Sequence, residues 1–114
     1  MLASGTGTMI STQDIKNLIN ENPVIVFSKR SCPFCTRTKN LLEQRGVPFR
    51  AIELDTVPGG IAMHQVLKKV SRQNTVPNIY IGAKHVGGNS DLEYEAQNGK
   101  LKKRLDENGI PNKF

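Results

Sequence analysis

The chain has 114 residues, of which 37% are hydrophobic and 23% charged, values typical of one globular domain. Its apolar runs are much shorter than the ~18 residues that a membrane-spanning helix needs, so we expect a soluble protein with no membrane partner. The 16 basic and 10 acidic residues give a net charge of +6, but only 5% of the residues are aromatic and no nucleic-acid-binding motif is present. We therefore expect no nucleic-acid partner.

The N-terminal residues are mostly small and polar. They lack the basic start and the apolar centre of a secretory signal. We expect a flexible leader over residues 1–10 and one folded domain over residues 11–114. Because no signal pattern is found and the chain has only two cysteines, a reducing compartment is favoured, and we predict a cytoplasmic location.

The first half of the chain alternates between helical and strand patterns. Apolar residues at helical spacing predict a first helix between Ser11 and Asn22. Val24 to Phe27 is apolar on both faces, which is typical of a buried central strand. A second helix is predicted to begin at Pro33 and to end at Gly46, and Phe49 to Leu54 predicts a second strand.

The second half continues the alternation. Apolar residues between Met63 and Val70 mark one face of a third helix. Asn78–Ile81 and Lys84–Val86 predict a hairpin that turns at Gly82-Ala83, and two short helices follow it. This order of elements predicts an α/β domain of three layers, with helices on both faces of the sheet and a parallel first strand–helix–strand unit.

The two cysteines, Cys32 and Cys35, lie at the predicted start of the second helix. Two cysteines this close cannot cross-link distant parts of a domain, so their role must be local. Unpaired N–H groups and the positive end of the helix dipole favour a thiolate at Cys32. Cys35 lies one helical turn further on and suits attack on a disulfide formed at Cys32. We predict a thiol–disulfide oxidoreductase in which Cys32 is the nucleophile and Cys35 the resolving thiol.

Charged residues near the cysteines add to this interpretation. No acidic residue occurs between Glu21 and Glu43. The same stretch contains four basic residues: Lys29, Arg30, Arg37 and Lys39. A positive field at a thiol favours the thiolate. We interpret the basic cluster Lys102-Lys103-Arg104 differently, as a solvated helix face.

A zinc site is the main alternative for a Cys-x-x-Cys pair. It would need His64 and His85 as further ligands, and their spacing matches no common zinc pattern. We therefore predict a redox-active cysteine pair and no metal site.

Three motifs together carry a family resemblance. They are Cys32-Pro33-Phe34-Cys35, Thr75-Val76-Pro77 and Gly87-Gly88-Asn89-Ser90-Asp91. In this order and spacing they resemble a dithiol glutaredoxin of the thioredoxin superfamily, over about residues 12 to 108. A thioredoxin proper usually has Gly-Pro between its cysteines and a Trp before them, whereas this chain has Pro-Phe and no Trp.

The resemblance implies a thioredoxin fold with a mixed four-stranded sheet and a glutathione groove beside Cys32. It assigns glutathione binding to these residues: Lys29, Phe34, His64, Thr75, Val76, Pro77, Gly88, Ser90 and Asp91. By this carry-over the peptide bond before Pro77 is cis, which turns the backbone of Val76 toward the cysteinyl unit of glutathione. Phe34 would form an apolar wall.

The remaining carried-over roles concern the two ends of glutathione. Lys29 and His64 would address the glycine carboxylate, while Ser90 and Asp91 would hold the γ-glutamyl end. Many glutaredoxins have Gln at the position of His64 and Tyr at the position of Phe34. A histidine can still donate a hydrogen bond, but its contribution would vary with protonation.

The resemblance implies reduction of glutathione mixed disulfides and of protein or small-molecule disulfides. Glutathione would be the electron donor, no bound cofactor would be needed, and we expect a monomer. Two alternatives stay open at this point. One is a carrier of an iron–sulfur cluster, which Pro33 disfavours because such members commonly have Gly or Ser there. The other is a thioredoxin-like reductase that does not use glutathione.

Overall fold

A computed structural model describes residues 10–114 of the chain. Its elements, in chain order, are α1 (Thr12–Glu21), β1 (Val24–Ser28), α2 (Pro33–Gln44), β2 (Arg50–Glu53), α3 (Gly60–Ser71), β3 (Asn78–Ile81), β4 (Lys84–Gly87), α4 (Asn89–Asn98) and α5 (Lys100–Glu107). The predicted order of helices and strands is therefore confirmed. None of these helices is long and apolar enough to cross a membrane.

The first described helix begins where the sequence predicts it. The Ser11 hydroxyl accepts a hydrogen bond of 3.0 Å from the Asp14 N–H, and the Asp14 carboxylate accepts one of 2.8 Å from the Ser11 N–H. This reciprocal pair satisfies N–H groups that have no partner inside the helix. The leader predicted over residues 1–10 lies, apart from Ile10, outside the described residues and stays a prediction.

The four strands form one mixed sheet in the order β2-β1-β3-β4. Strands β1 and β2 are parallel, and the pairs β1–β3 and β3–β4 are antiparallel. The mixed four-stranded sheet and its parallel first unit are thus confirmed. All five residues of β1 are buried, as expected for a strand with a neighbour on each side and helices on both faces.

Alternate residues of β1 pack against different helices. Val24 and Val26 belong to a core cluster that includes apolar residues of α2, α4 and α5. Ile25 and Phe27 belong to a second cluster with apolar residues of α1 and α3. Because side chains alternate along a strand, Ser28 lies on the same face as Val24 and Val26, toward α2. The three-layer prediction is confirmed.

Element ends differ from the predicted ones by one or two residues. Helix α2 ends at Gln44, because Gly46 adopts a φ of +64° that breaks the helical path. Strand β2 is shorter than predicted by one residue at each end. Strand β4 extends to Gly87 rather than ending at Val86. The hairpin turn itself is where the sequence predicts it, at Gly82-Ala83, and both residues have positive φ.

The interpretation of Lys102-Lys103-Arg104 as a solvated face is wrong for Arg104. The Arg104 side chain is only 18% exposed. Its Nε and Nη2 donate hydrogen bonds of 2.7 and 3.0 Å to the carboxylate of Glu95. Glu95 lies on α4, so this buried pair joins α4 to α5. The sequence gives the charge of Arg104 but not the partner that another helix supplies.

Candidate active site around Cys32

Cys32 is the N-cap residue of α2. Its N–H donates to the carbonyl of Lys29 at 3.1 Å, which closes the turn between β1 and α2. Its Sγ accepts a hydrogen bond of 3.3 Å from the backbone N–H of Cys35. Pro33 follows as the first helical residue, where its lack of an N–H costs nothing. The partly exposed sulfur of Cys32 thus lies at the positive end of a helix.

Cys35 has the opposite environment. Its side chain is 0% exposed, and both cysteines are free thiols. Burial, followed by the hydrogen bond with the Cys32 side chain, raises the pKa of Cys35 to about 11. At neutral pH Cys35 is therefore a protonated thiol behind a more accessible Cys32.

A loop before β3 lies against the Cys32 sulfur. The Cys32 thiol approaches the carbonyl of Val76 at 3.8 Å, and the Val76–Pro77 peptide bond is cis. The side-chain amide of Gln73 donates to the carbonyls of Thr75 and Pro77, both at 2.9 Å. Sequence reasoning did not select Gln73. Both of its hydrogen bonds go to residues that lie at most four positions further along the chain. A polar side chain just before the Thr-Val-Pro motif was therefore the feature of the sequence that could have identified it.

A groove of about 470 Å³ lies along this loop. It is lined by Phe34, Gln73, Thr75, Val76, Pro77, Gly88, Asn89, Ser90 and Asp91. Seven of these were predicted as glutathione-binding residues, and the structure brings them together. Asn89 was not predicted. Its side chain accepts a buried hydrogen bond of 2.9 Å from Thr38, which links the start of α4 to α2.

The start of α4 forms one wall of the groove. The Asp91 carboxylate accepts a hydrogen bond of 2.9 Å from the Gly88 N–H, so this side chain caps the helix. Gly87 has a φ of +121°, and a Cβ there would lie 2.3 Å from the Asp91 carboxylate. A side chain at position 87 would therefore displace Asp91. Ser90 and Asp91 are exposed, and the N–H groups in the first turn of a helix are groups that can bind an anion.

Lys29 and His64 line a different depression. It has a volume of about 770 Å³ and also contacts Asp55 and Lys68. The nine predicted binding residues therefore lie in two depressions. Cys32 contacts a residue of each, through its N–H to Lys29 and through its sulfur to Val76.

His64 has a buried side-chain atom whose hydrogen-bonding capacity is not used. Burial, and then the charges of Lys68 and Lys29, lower the pKa of His64. Its Nε2 is buried and has no hydrogen-bond partner within the part of the chain that the structure describes. A buried ring nitrogen without a partner costs free energy, which a ligand atom at this position would recover.

The positive charge predicted around the cysteines is partly neutralised. Arg37 pairs with Glu93 of α4 at 2.7 Å, and Lys39 pairs with Glu53 of β2 at 2.9 Å. The expectation of a concentrated positive field from four basic residues is thus wrong for two of them. Glu93 and Glu53 lie outside the acid-free stretch between Glu21 and Glu43, so the local sequence did not indicate that they pair with its basic residues.

The ligand set of the zinc alternative is not assembled. His85 Nε2 lies 3.0 Å from the side-chain oxygen of Asn78, at the hairpin. Within residues 10–114, no three side chains of the His, Cys, Asp or Glu type come close enough together to hold a metal ion.

The fold and the cysteine pair define the class of protein. A mixed sheet between two helix layers, with a Cys-x-x-Cys motif whose first cysteine caps a helix, is the arrangement of thioredoxin-fold thiol–disulfide oxidoreductases.

Comparison with known proteins narrows the class. The glutaredoxin family model matches residues 24–86. Glutaredoxin-C2 of Arabidopsis thaliana is 41% identical over 88% of this chain and 90% of its own length. Glutaredoxin-2 of Schizosaccharomyces pombe is 39% identical over 88% of this chain and 91% of its own. The crystal structure of a buckwheat glutaredoxin–glutathione complex superposes with a TM-score of 0.86 and 37% identity, over 96% of this chain and 99% of that one. The chain belongs to the glutaredoxin family and is a glutathione-dependent thiol–disulfide oxidoreductase.

Proposed function

We propose that this chain removes glutathione from mixed disulfides, with Cys32 as the nucleophile. The observation that carries this proposal is the position of Cys32 at the N-cap of α2, where its sulfur accepts the Cys35 N–H. The Cys32 thiolate attacks the glutathione sulfur, the S–S bond breaks, and the client leaves as a thiolate that takes up a proton. A second glutathione then attacks the sulfur bound to Cys32, which releases oxidised glutathione and regenerates the Cys32 thiolate.

For protein and small-molecule disulfides, we assign a second step to Cys35. Cys32 first forms a mixed disulfide with the substrate. Cys35 then attacks Cys32, a Cys32–Cys35 disulfide forms, and the substrate leaves reduced. The burial of Cys35 supports this division, because an intermolecular disulfide cannot reach a side chain that is 0% exposed. Glutathione returns the pair to its dithiol form.

The glutathione-binding roles form the next part of the proposal. Ser90 and Asp91 hold the γ-glutamyl end, with backbone N–H groups for its carboxylate and the Asp91 side chain for its ammonium. The backbone of Val76 pairs with the cysteinyl unit. Lys29 and His64 bind the glycine carboxylate, and the His64 Nε2, which has no hydrogen-bond partner among residues 10–114, supports this role. The buckwheat relative, solved as a glutathione complex, supports glutathione as the ligand.

The remaining predicted binding residues form walls. Phe34 is 56% exposed at the start of α2 and offers an apolar face to the ligand. Thr75, Pro77 and Gly88 also line the groove. Pro77 has no N–H that would need a partner there.

Thiol–disulfide exchange also bears on the substrates, the cofactor requirement and the location of the protein. We propose that residues 11–114 act as one domain and as a monomer, on glutathionylated proteins and disulfides. Both half-reactions exchange electrons between sulfur atoms only, so no bound cofactor is required. A thiol pair that must return to its reduced form supports a reducing compartment, and we propose the cytoplasm. One relative is a chloroplastic protein of rice.

Exchanging each cysteine for serine tests the proposal. Cys32→Ser should abolish thiol exchange, because Cys35 is buried and protonated. Cys35→Ser should retain turnover on a glutathionylated peptide and accumulate one glutathione on Cys32, measured by intact mass spectrometry. It should lose most activity on protein disulfides that need a resolving thiol. Activity in Cys32→Ser together with an inactive Cys35→Ser would reverse the two roles.

Charge removal tests the binding residues. Lys29→Ala and Asp91→Ala should each raise the KM for glutathione roughly tenfold, equivalent to ~1–2 kcal/mol of lost charge-assisted contact. Because Asp91 also caps α4, Asp91→Asn is the matched variant: it can keep the cap while it loses the charge. The measurement is steady-state turnover at varied glutathione. Unchanged KM in Lys29→Ala and Asp91→Asn would refute the binding assignment.

A further inference from the structure

The segment between α3 and β3 lies against the Cys32 sulfur but belongs to no helix or strand. It comprises residues 72–77, and its Val76 carbonyl lies 3.8 Å from that sulfur. In the part of the chain that the structure describes, one hydrogen bond joins its backbone to another backbone group, from the Arg72 N–H to the Lys68 carbonyl. That bond is at the first residue of the segment. The other hydrogen bonds that hold the segment come from side chains.

Gln73 supplies two of these hydrogen bonds. Its side-chain amide donates to the Thr75 carbonyl and to the Pro77 carbonyl, each at 2.9 Å. These are the carbonyls immediately before and immediately after that of Val76. A carbonyl oxygen can only accept, so the two contacts use both N–H donors of the amide. One side chain thus links the backbone on both sides of Val76.

Gln73 is itself held by the neighbouring elements. Its N–H donates to the Ser71 hydroxyl at 3.2 Å. This hydroxyl donates to the Leu67 carbonyl of α3 at 2.9 Å and accepts from the side-chain amide of Asn78 at 2.8 Å. Its one proton and both lone pairs are therefore used. Because Asn78 is the first residue of β3 and is 0% exposed, Gln73 is anchored to a helix and to the buried sheet.

We propose that Gln73 is a positioning residue of the glutathione site, which holds the Val76 backbone in the conformation that pairs with the cysteinyl unit. This inference rests on the proposed function, which assigns that pairing to Val76. Gln73 acts through Val76 and does not touch the reacting sulfur atoms. Without its two hydrogen bonds the segment would populate more conformations, and only a fraction of the molecules would be ready to bind glutathione. Binding would weaken, whereas the Cys32 sulfur would keep its hydrogen bond from the Cys35 N–H of α2.

The same hydrogen bonds could serve only to stabilise the fold. In that case the loss of Gln73 would lower the free energy of unfolding, but the folded protein would bind glutathione as before. A positioning residue instead changes the affinity of the folded protein. Its loss would leave unchanged the reaction of Cys32 with a small reagent that has no backbone to pair with Val76. Methyl methanethiosulfonate, which contains no amide group, is such a reagent.

Gln73→Met is the central variant, because methionine is similar in length but has no N–H to donate. The probe is S-methylglutathione, a thioether that can occupy the glutathione site without reacting with Cys32. Its dissociation constant, measured by titration calorimetry on the folded protein, should rise roughly tenfold. The rate at which methyl methanethiosulfonate consumes the Cys32 thiol should stay unchanged. Gln73→Ala removes the same two donors with a smaller side chain and should give the same pair of results.

Gln13→Met is the matched control. The side-chain amide of Gln13 also donates to a residue four positions along the chain, Asn17 at 2.8 Å, but it does so on α1. Both measurements should equal those of the unchanged protein. The proposal would be overturned by an unchanged dissociation constant in the two Gln73 variants, or by an equal rise in Gln13→Met. It would also be overturned if methyl methanethiosulfonate reacted more slowly by the same factor as the affinity fell. Failure of the unchanged protein to bind S-methylglutathione would instead overturn the assigned glutathione site as a whole, so the two failures are distinguishable.

Discussion

At the scale of single residues, the two cysteines differ through their backbone positions. Cys32 lies outside the first turn of α2, so its sulfur receives an N–H that the helix leaves unpaired. Cys35 lies one turn inside and faces the sheet, where burial stabilises its neutral thiol and raises its pKa to about 11. One short motif therefore supplies a nucleophile and a protected second thiol. The different roles of the two cysteines thus follow from helix position and burial and do not depend on another catalytic side chain.

His64 gives a residue-scale prediction about pH. Burial and the neighbouring lysines lower its pKa, so the imidazole is neutral at pH 7 in the free protein. A carboxylate bound beside it would raise that pKa, so binding takes up a proton and becomes tighter as the pH falls. Affinity for S-methylglutathione, measured by titration calorimetry, should therefore increase from about pH 7.5 to about pH 5.

His64→Gln is the control for this prediction, since glutamine can donate a hydrogen bond but does not titrate. It should bind S-methylglutathione with little dependence on pH over the same range. If both proteins gained affinity equally on acidification, a group other than His64 would be responsible for the proton uptake.

At the scale of elements, the periodic residues predicted every helix and strand, because each helix buries one stripe and β1 buries both faces. The site was partly predictable for the same reason. Motifs at the ends of these elements identified the cysteines and the walls of the groove. The missed contacts, such as Ser28 with Glu53 and Arg104 with Glu95, join residues on different elements. A single sequence gives the identity of each partner but not the distance between them.

The pairing of α4 with α5 gives an element-scale prediction. The Glu95 carboxylate is buried and accepts two hydrogen bonds from Arg104. Removing it leaves a largely buried guanidinium without its partner, so Glu95→Ala should lower the free energy of unfolding by about 3 kcal/mol. Lys102→Ala breaks an exposed pair with Asp106 and should cost far less, because water already solvates both charges. Urea unfolding measures both losses, and equal losses would contradict the interpretation of Glu95–Arg104 as a buried pair that stabilises the contact of α4 with α5.

At the scale of the whole molecule, the sheet order brings the parts of the site together. Strand β1 is internal to the sheet, so the turn after it lies between the β2 side and the β3–β4 side. The start of α2, the loop before β3 and the start of α4 converge at this end, although they come from residues 32, 76 and 89 onward. The core on both faces fixes these three segments relative to one another. The geometry around Cys32 is therefore a property of the complete fold.

The last prediction concerns assembly of the whole molecule with an iron–sulfur cluster as cargo. A cluster held between two copies by Cys32 and glutathione would have to bind the Cys32 sulfur, which in this structure contacts the Cys35 N–H and the Val76 carbonyl. Pro33 opposes this, because its ring fixes φ at the first position of α2. We expect a colourless monomer after reconstitution with iron, sulfide and glutathione, measured by visible absorption and analytical ultracentrifugation. Pro33→Gly, which frees that φ angle, is the matched variant and should take up more iron than the unchanged protein. A stable brown dimer of the unchanged protein would contradict the prediction and favour the carrier function instead.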